Sequence, residues 1–344
     1  MKKFLKRGAL FLSAMLLATG MAACSGTNTD GTNSSNSSSS SDGAAKDSIT
    51  IGISQLVEHD ALDASRNGFL DRLKELGYVE GENLVIEYQN AQGEQANAQT
   101  IAENFATNSN LDLILAIATN AAIPLANIID NVPILVTAVT DPEDAGLVTS
   151  NESPGGNVSG TSDLNPIAEQ VDLLTRLVPD VETVAIIYNS SEQNSVLQGE
   201  HVIAALAEKD IEGVLYTTPS STDLQTVLQS SIGKVDAWYI PTDNLLADNM
   251  ATVQGIATEN NIPVIAGEVN MMNNGALATV SVDYYELGRL TADMAIEILE
   301  DDADPATMAI RYQENPTLHI NKEFAEAIGL EIPQDILDEA EADE

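Results

Sequence analysis

From Ser48 onward, the sequence alternates short apolar segments with longer segments that have the period of a helix. Residues 111–118 are apolar almost throughout, which is typical of a parallel strand covered by helices on both faces. Residues 61–76 carry an apolar stripe at helical spacing and stop at a glycine. One series runs to Val139 and a second begins at Thr183. The sequence therefore predicts an α/β protein with two doubly wound, Rossmann-like lobes.

The first 24 residues have the pattern of an export signal. Four basic residues precede an apolar run at 9–18 that is too short for a stable membrane span. Small residues then lead to Cys24, the only cysteine in the chain, in an arrangement that resembles the lipobox of bacterial lipoproteins. We predict a signal peptide over residues 1–23 and lipidation of Cys24. The protein is then expected on the extracytoplasmic face of the cell membrane, held by a lipid anchor.

The stretch after this cysteine cannot form a core. It is rich in Ser, Asn and Gly and has no large apolar residue. We predict a disordered tether over residues 24–47. Such a tether lets the folded part move beside the membrane while it stays attached to it.

The charge balance excludes several kinds of partner and activity. The chain has 14 basic and 53 acidic residues, and loss of the predicted signal leaves 10 basic residues and a formal net charge of −43. A surface this acidic repels phosphate backbones, so no nucleic-acid partner is expected. The three histidines are far apart, and no nucleophile-elbow, phosphate-loop or metalloprotease motif occurs. We therefore predict a protein that is not an enzyme and needs no cofactor or metal.

Polar loops follow most of the predicted strands. In open α/β lobes, ligands bind beyond the carboxyl ends of the strands, so these loops should line one cleft. The same residue types are preferred at helix N-termini, so capping alone could explain each loop taken singly. The candidate ligand-binding residues are Gln55, Glu58, Thr119, Asn120, Thr140, Asp141, Ser162, Asn189, Ser190, Ser191, Thr242, Asp243, Glu268 and Asp283.

This set can hold a zwitterion. Helix N-termini and hydroxyl groups bind a carboxylate, and Thr119 and Thr140 are the residues we predict for it. An acidic side chain would hold an ammonium group through charge-assisted hydrogen bonds. The candidates for that role are Glu58, Asp283, Asp243 and Glu268, of which the last two are favoured. A small amino acid bridging both lobes is the expected ligand.

Several loops extend into longer segments with a shared character. They are EHDALD (58–63), TAVTDP (137–142), GTSD (160–163), YNSSE (188–192), PTDN (241–244), GALAT (275–279) and DYYELG (283–288). Together they resemble the substrate-binding lipoproteins of ABC importers of the tryptophan/tyrosine type. The resemblance covers about residues 48–329, and Asp60 departs from it because the family pattern has proline there.

The resemblance implies a type I periplasmic-binding-protein fold with three crossings between the lobes, expected near residues 162–166, 280–283 and 314–319. The lobes would be 48–163 plus 283–313 and 164–282 plus 314–337. An acidic run, 338–344, is predicted to be a solvated tail. The resemblance also implies an aromatic amino acid as ligand and a permease and an ATPase as partners. We expect the receptor to be a monomer.

The sequence leaves alternatives open for the identity of the ligand and for the function of the protein. Aromatic residues are only 4% of the chain, so a branched-chain amino acid or a short peptide stays open. Trp238 and Tyr239 lie in a predicted strand and are expected in the core. Tyr284 and Tyr285 begin a helix, where one should pack inward. A lipid-anchored sensor that presents its ligand to a receptor is the alternative function.

Overall fold

The computed structural model describes residues 48–343. The predicted signal peptide, the lipidation site at Cys24 and the predicted tether lie outside these residues. Within residues 48–343, every helix is too short or too polar to cross a membrane.

Two six-stranded sheets form the framework of the described residues. The first has the order β11-β5-β4-β3-β1-β2 and is parallel throughout, and the second has the order β12-β10-β9-β8-β6-β7. In the second sheet, β12 alone runs antiparallel to its neighbour. The strands are β1 Ile49–Gln55, β2 Leu84–Asn90, β3 Leu113–Ile117, β4 Ile134–Val139, β5 Val158–Ser162, β6 Thr183–Asn189, β7 Glu212–Thr218, β8 Ala237–Ile240, β9 Val264–Ala266, β10 Ala278–Ser281, β11 Arg311–Tyr312 and β12 Thr317–Ile320.

Helices cover the sheets and connect the parallel strands, as such strands require. They are α1 Asp60–Glu75, α2 Gln95–Ala106, α3 Thr119–Ile128, α4 Ile167–Leu177, α5 Gln193–Ala207, α6 Ser221–Ser231, α7 Asn244–Ala247, α8 Met250–Asn260, α9 Val269–Asn273, α10 Tyr284–Asp301, α11 Lys322–Ala327 and α12 Gln334–Asp343. A short 3₁₀ turn at Pro305–Thr307 completes the regular structure.

Each sheet lies at the centre of its own hydrophobic core, so the molecule has two lobes. Every residue of β3 is buried, as expected for a strand covered on both faces. Trp238 and Tyr239 of β8 are fully buried in the core, as predicted. Tyr284 packs inward, whereas Tyr285 stays at the surface, where its hydroxyl donates to Asp71.

Three crossings join the lobes, and the predicted fold class is confirmed. They run at residues 163–166, 282–283 and 313–316, between strands or helices that belong to different lobes. Hydrogen bonds connect the crossings: Val282 N donates to Asn165 Oδ1 at 2.8 Å, and Asp283 N donates to Gln313 Oε1 at 2.7 Å. The third crossing is shorter than we predicted because residues 317–320 form β12.

Helices α1 and α10 pack closely along one side of the first lobe, and we call this contact the α1–α10 seam. A Cβ atom on Gly68 would lie 1.9 Å from the Tyr285 carbonyl oxygen, and one on Gly288 would lie 1.9 Å from the Ser65 carbonyl oxygen. Only glycine allows the two backbones to approach this closely. At the exposed edge of the seam, ion pairs connect the same helices.

The predicted tail over 338–344 is helical as far as residue 343, and its acidic side chains are exposed. Residues 338–343 belong to α12, which packs against β12. Ile336 and Ala340 are buried, and Leu318 N donates to Asp343 Oδ2 at 2.8 Å. Small apolar residues four positions apart give this acidic stretch one buried face. Its net charge alone did not reveal that face.

Candidate ligand-binding site

A cavity lies between the lobes, beyond the carboxyl ends of the parallel strands. Loops from both sheets line it, together with the first turns of α1 and α10. The lining residues are His59, Ala61, Leu62, Ala138, Thr140, Asp163, Asn194, Thr242, Asp243, Asn244, Ala247, Glu268, Met271 and Tyr284. The predicted position of the site, at the strand-end loops, matches this cavity.

The two lobes are in direct contact around the cavity. His59 Nε2 lies 3.1 Å from Asn244 Oδ1, and Asn120 Nδ2 donates to the Ser191 carbonyl at 3.2 Å. Both pairs join a residue of the first lobe to a residue of the second. Burial lowers the pKa of His59, so its imidazole is neutral and Nε2–H is the donor to Asn244. The structure therefore has a closed cleft.

The end of β4 is distorted where it reaches the cavity. The register with β5 shifts between Val136 and Val139, and Ala138 has a φ of 53°. A residue with a Cβ atom is disfavoured at positive φ, so the surrounding structure must hold this conformation in place. The bulge carries Ala138 and Thr140 to the cavity wall.

Asp243 and Glu268 line the cavity but also cap helices. Asp243 accepts hydrogen bonds from Leu246 N at 2.9 Å and from Asn189 N at 2.6 Å. Glu268 accepts from Asn270 N and Met271 N, each at 2.6 Å. Burial raises the pKa of Glu268 to about 7 and also raises the pKa of Asp243. Both carboxyl groups therefore already have backbone donors.

Asp163 has a free oxygen atom. Its Oδ2 accepts a hydrogen bond from the Tyr284 hydroxyl at 2.6 Å, whereas Oδ1 has no hydrogen-bond partner within residues 48–343. The residue is only 4% exposed. Burial raises the pKa of its carboxyl group, and the hydrogen bond from the Tyr284 hydroxyl opposes that shift. A buried acceptor of this kind is costly unless a donor meets it.

Three acidic residues line the cavity: Asp163, Asp243 and Glu268. Among the described residues, no Lys or Arg lines it, and its histidine, His59, has a lowered pKa. These carboxyl groups are almost completely buried and their pKa values are raised, so a cation that enters the cavity would favour their ionised forms. The site is therefore electrostatically suited to a cation.

The remainder of the wall is apolar and built from short side chains. Ala61, Leu62 and Ala138 contribute from the first lobe, and Ala247 and Met271 from the second. Short side chains leave room for a bulky group, and the flexible thioether of methionine adapts to its shape. One cavity thus combines polar anchoring groups with an apolar compartment.

Four of the fourteen predicted ligand-binding residues line the cavity: Thr140, Thr242, Asp243 and Glu268. Ser162 lies beside it, because its hydroxyl donates to the Thr140 carbonyl at 2.7 Å. Three more line an outer groove between the lobes: Asn120, Asn189 and Ser191.

The other predicted residues have local roles. Glu58, Ser190 and Asp283 are exposed, and Asp283 caps α10. Asp141 orders a turn by accepting from the backbone N–H of Glu143 at 3.0 Å. The final two are buried outside the cavity wall: Gln55, which donates to Asp63 at 2.7 Å, and Thr119, whose hydroxyl has no partner among the described residues.

Sequence reasoning missed several lining residues, chiefly Asp163, Tyr284, His59 and Asn194. Asp163 directly follows Ser162, and Tyr284 directly follows Asp283, so each lies beside a residue that the sequence predicts for the site. The available signal at the second crossing was an aromatic residue beside an acidic one. Asn194 lies inside a helix, where no loop pattern marks it.

The fold and the cavity define a class of protein: a two-lobed receptor that encloses a small ligand. The family model for ABC transporter substrate binding proteins matches residues 50–343, which is most of the chain. The chain belongs to that family, as its sequence segments indicated. Proteins of this family bind a solute outside the cytoplasm and work with an ABC transporter.

Relatives support the assignment over nearly the whole folded part. The Tyrosine-binding protein of Clostridioides difficile (strain R20291) is 42% identical over 256 residues, which is 74% of each protein. The crystal structure of an ABC domain from Streptococcus pneumonia in complex with L-Trp is 34% identical, with a TM-score of 0.82 over 85% of this chain and 98% of that one.

A third relative bears on the conformation. The ligand-free, open structure of a substrate binding protein from Clostridium difficile is 40% identical and covers 83% of this chain and 97% of that one, with a TM-score of 0.65. This chain thus superimposes better on the L-Trp complex than on the open protein, although the open protein is more similar in sequence. That difference agrees with the closed cleft described above.

Proposed function

We propose that this protein captures an aromatic amino acid for an ABC importer, with Asp163 as the principal partner of the ammonium group. The observation that carries the proposal is the unpartnered Oδ1 atom of a buried aspartate in a cavity that no Lys or Arg of residues 48–343 lines. An ammonium group supplies the missing donor and neutralises the charge. Asp243 and Glu268 lie in the same wall, and a bound ammonium group would lower their raised pKa values and favour their ionised forms.

The carboxylate of the ligand has different partners in this proposal. Thr140 and Thr242 bring one hydroxyl from each lobe to the cavity wall. Hydroxyl groups donate to a carboxylate without a formal charge of their own, so they can coexist with the three acids. A zwitterion fits this arrangement better than a free amine or a free acid.

The wall of the cavity favours a single aromatic side chain. Ala61, Ala138 and Ala247 leave space for a flat ring, and Met271 provides a polarisable contact. The tyrosine-binding and L-Trp-bound relatives support the same ligand class.

Delivery completes the proposed role. The lipidated Cys24 would hold the receptor at the extracytoplasmic face of the membrane, and residues 24–47 would let it reach the permease. A monomer that passes its ligand to the permease, with an ATPase driving transport, is the expected working unit. A Cys24→Ser variant should leave the membrane fraction; a variant that still sediments with membranes would contradict the anchor.

Calorimetric titration of ligand-free protein tests the ligand assignment. The protein is unfolded, dialysed and refolded, and native mass spectrometry verifies that no ligand is carried over. At least one of L-Trp, L-Tyr and L-Phe should bind ten times or more tightly than L-Leu. No measurable binding of the three aromatic amino acids, or a preference for L-Leu, would overturn the proposal.

A further inference from the structure

A buried glutamine connects the two threonines of the cavity wall. Gln198 of α5 is 1% exposed, and its Nε2 atom donates to Thr140 Oγ1 at 3.2 Å and also to Thr242 Oγ1. Thr140 belongs to the first lobe, while Gln198 and Thr242 belong to the second. The carboxamide therefore joins the lobes at the cavity.

The orientation of this carboxamide is fixed by its surroundings. Thr242 N donates to Gln198 Oε1 at 3.2 Å. A backbone N–H needs an acceptor, so exchanging the oxygen and nitrogen of the side chain would place two donors against each other. The nitrogen is therefore the atom that faces the two hydroxyls.

That orientation determines where the hydroxyl hydrogens point. An amide nitrogen donates but does not accept, so the hydrogens of Thr140 and Thr242 must be directed away from Gln198. Thr140 is a residue of the cavity wall. Thr242 Oγ1 belongs to a residue of the cavity wall, so its hydrogen is available to a ligand.

We propose that Gln198 is a positioning residue that fixes both threonine hydroxyls as hydrogen-bond donors and thereby makes the closed cavity selective for a ligand with a carboxylate beside its ammonium group. The inference rests on the proposed function and adds to it the residue that sets the polarity of the site. Without Gln198, either hydroxyl could turn its oxygen lone pairs to the ligand and repel the carboxylate.

The test compares an amino acid with the amine that lacks its carboxylate. In calorimetric titrations, Gln198→Met keeps the size of the side chain but removes the amide donor. We expect the affinity for L-Trp to fall at least tenfold while the affinity for tryptamine falls less than threefold. Gln198→Glu accepts hydrogen bonds from both hydroxyls. It should therefore lower the ratio of the L-Trp affinity to the tryptamine affinity more than Gln198→Met does. Equal losses for both ligands, or no loss, in Gln198→Met would overturn the inference, because a merely structural role affects both alike.

A second glutamine of α5 is the matched control. Gln193 Nε2 also connects the lobes, by donating to the Asp144 carbonyl at 2.7 Å, but the residue does not line the cavity. Gln193→Met weakens closure without changing the polarity of the site, so it should change both affinities by the same factor. Circular dichroism verifies that each variant is folded.

The ring of the ligand does not affect this test. If the wild-type protein binds no aromatic amino acid, the proposed ligand class is wrong, and the same ratio is measured with L-leucine and 3-methylbutylamine. A narrowed ratio there would still support the role of Gln198. A wild-type protein that binds neither amino acid would overturn both proposals.

Discussion

Helices α1 and α10 each contribute to two regions, the cavity and the α1–α10 seam, and acidic side chains have different partners in the two. The first turns of these helices face the cavity, through Ala61 and Leu62 of α1 and Tyr284 of α10. Their later turns form the α1–α10 seam. Both regions contain acidic side chains within a few turns of one another.

In the seam, acids have basic partners within the protein. Glu75 accepts from Arg289 at 2.8 and 2.9 Å and from Arg72 at 3.2 Å, and these arginines lower the pKa of Glu75 to about 2. In the cavity, Glu268 has no such partner, and burial raises its pKa to about 7. The seam is neutralised by the protein itself. Within the described part of the chain, the acidic groups of the cavity have no arginine partner, so a bound cationic group would neutralise them. This contrast distinguishes a binding site from a structural contact.

The largest expected effect is the loss of ligand affinity on Asp163→Asn. The variant keeps the size of the side chain but removes the charge that the ammonium meets, so the affinity for the best aromatic amino acid should fall about 100-fold. Calorimetric titration measures this change. The control is Glu58→Gln, an exposed acid outside the cavity wall, which should bind as the wild type does. Affinities within threefold of each other would remove Asp163 from the site.

The next largest effect belongs to the seam and concerns folding alone. Gly288→Ala places a methyl group 1.9 Å from the Ser65 carbonyl oxygen, so the helices must separate. We expect about 2 kcal/mol less stability in urea unfolding. Gly255→Ala, where a Cβ atom would meet open space, is the matched control. A Gly288→Ala protein as stable as the wild type would show that the helices can move apart freely.

A smaller effect is the pH dependence of the ligand-free protein. Because the pKa of folded Glu268 is about 7, against an ordinary value of 4.5, its stabilising contribution is complete below 4.5 and is lost as the pH rises through 7. Glu268→Gln removes this loss. Between pH 5 and pH 8, the Tm of the variant should fall by about 3 °C less than that of the wild type. Parallel Tm curves would mean that Glu268 is already ionised at pH 5.

The smallest effect has the opposite sign. Glu75 has a folded pKa of about 2, below the ordinary 4.5, so its contribution is present above 4.5 and is lost as the pH falls towards 2. At pH 7, Glu75→Gln should lower the Tm by less than about 2 °C, because the ion pairs are exposed. The difference should shrink in acid and in 1 M salt. A changed ligand affinity in this variant would contradict the separation of the two regions.

The sequence predicted the framework well because the framework depends on local periodicity. The apolar run at β3 and the stripe along α1 follow from chain geometry, and the site lies where parallel strands end. The terminal helix was missed because one buried face, at Ile336 and Ala340, is a weak signal among many acids.

The chemistry of the site was harder to predict, since it depends on which donors surround each acid. Asp243 and Glu268 have the residue type expected of an ammonium partner, but backbone N–H groups of α7 and α9 already bind them. Asp163 has the same chemistry with one oxygen left free. That difference arises from tertiary contacts such as the one with Tyr284, which sequence spacing does not encode.

The position of Asp163 in the first crossing affects the order of events on binding. When the lobes rotate about the crossings, points near the rotation axis move least. The Asp163 carboxylate therefore keeps nearly the same position in the open and closed states. An incoming amino acid can therefore bind to Asp163 first, before closure of the lobes brings Thr242 into contact with it. On this assignment, Asp163 sets the association rate of the ligand, and the second lobe sets its dissociation rate.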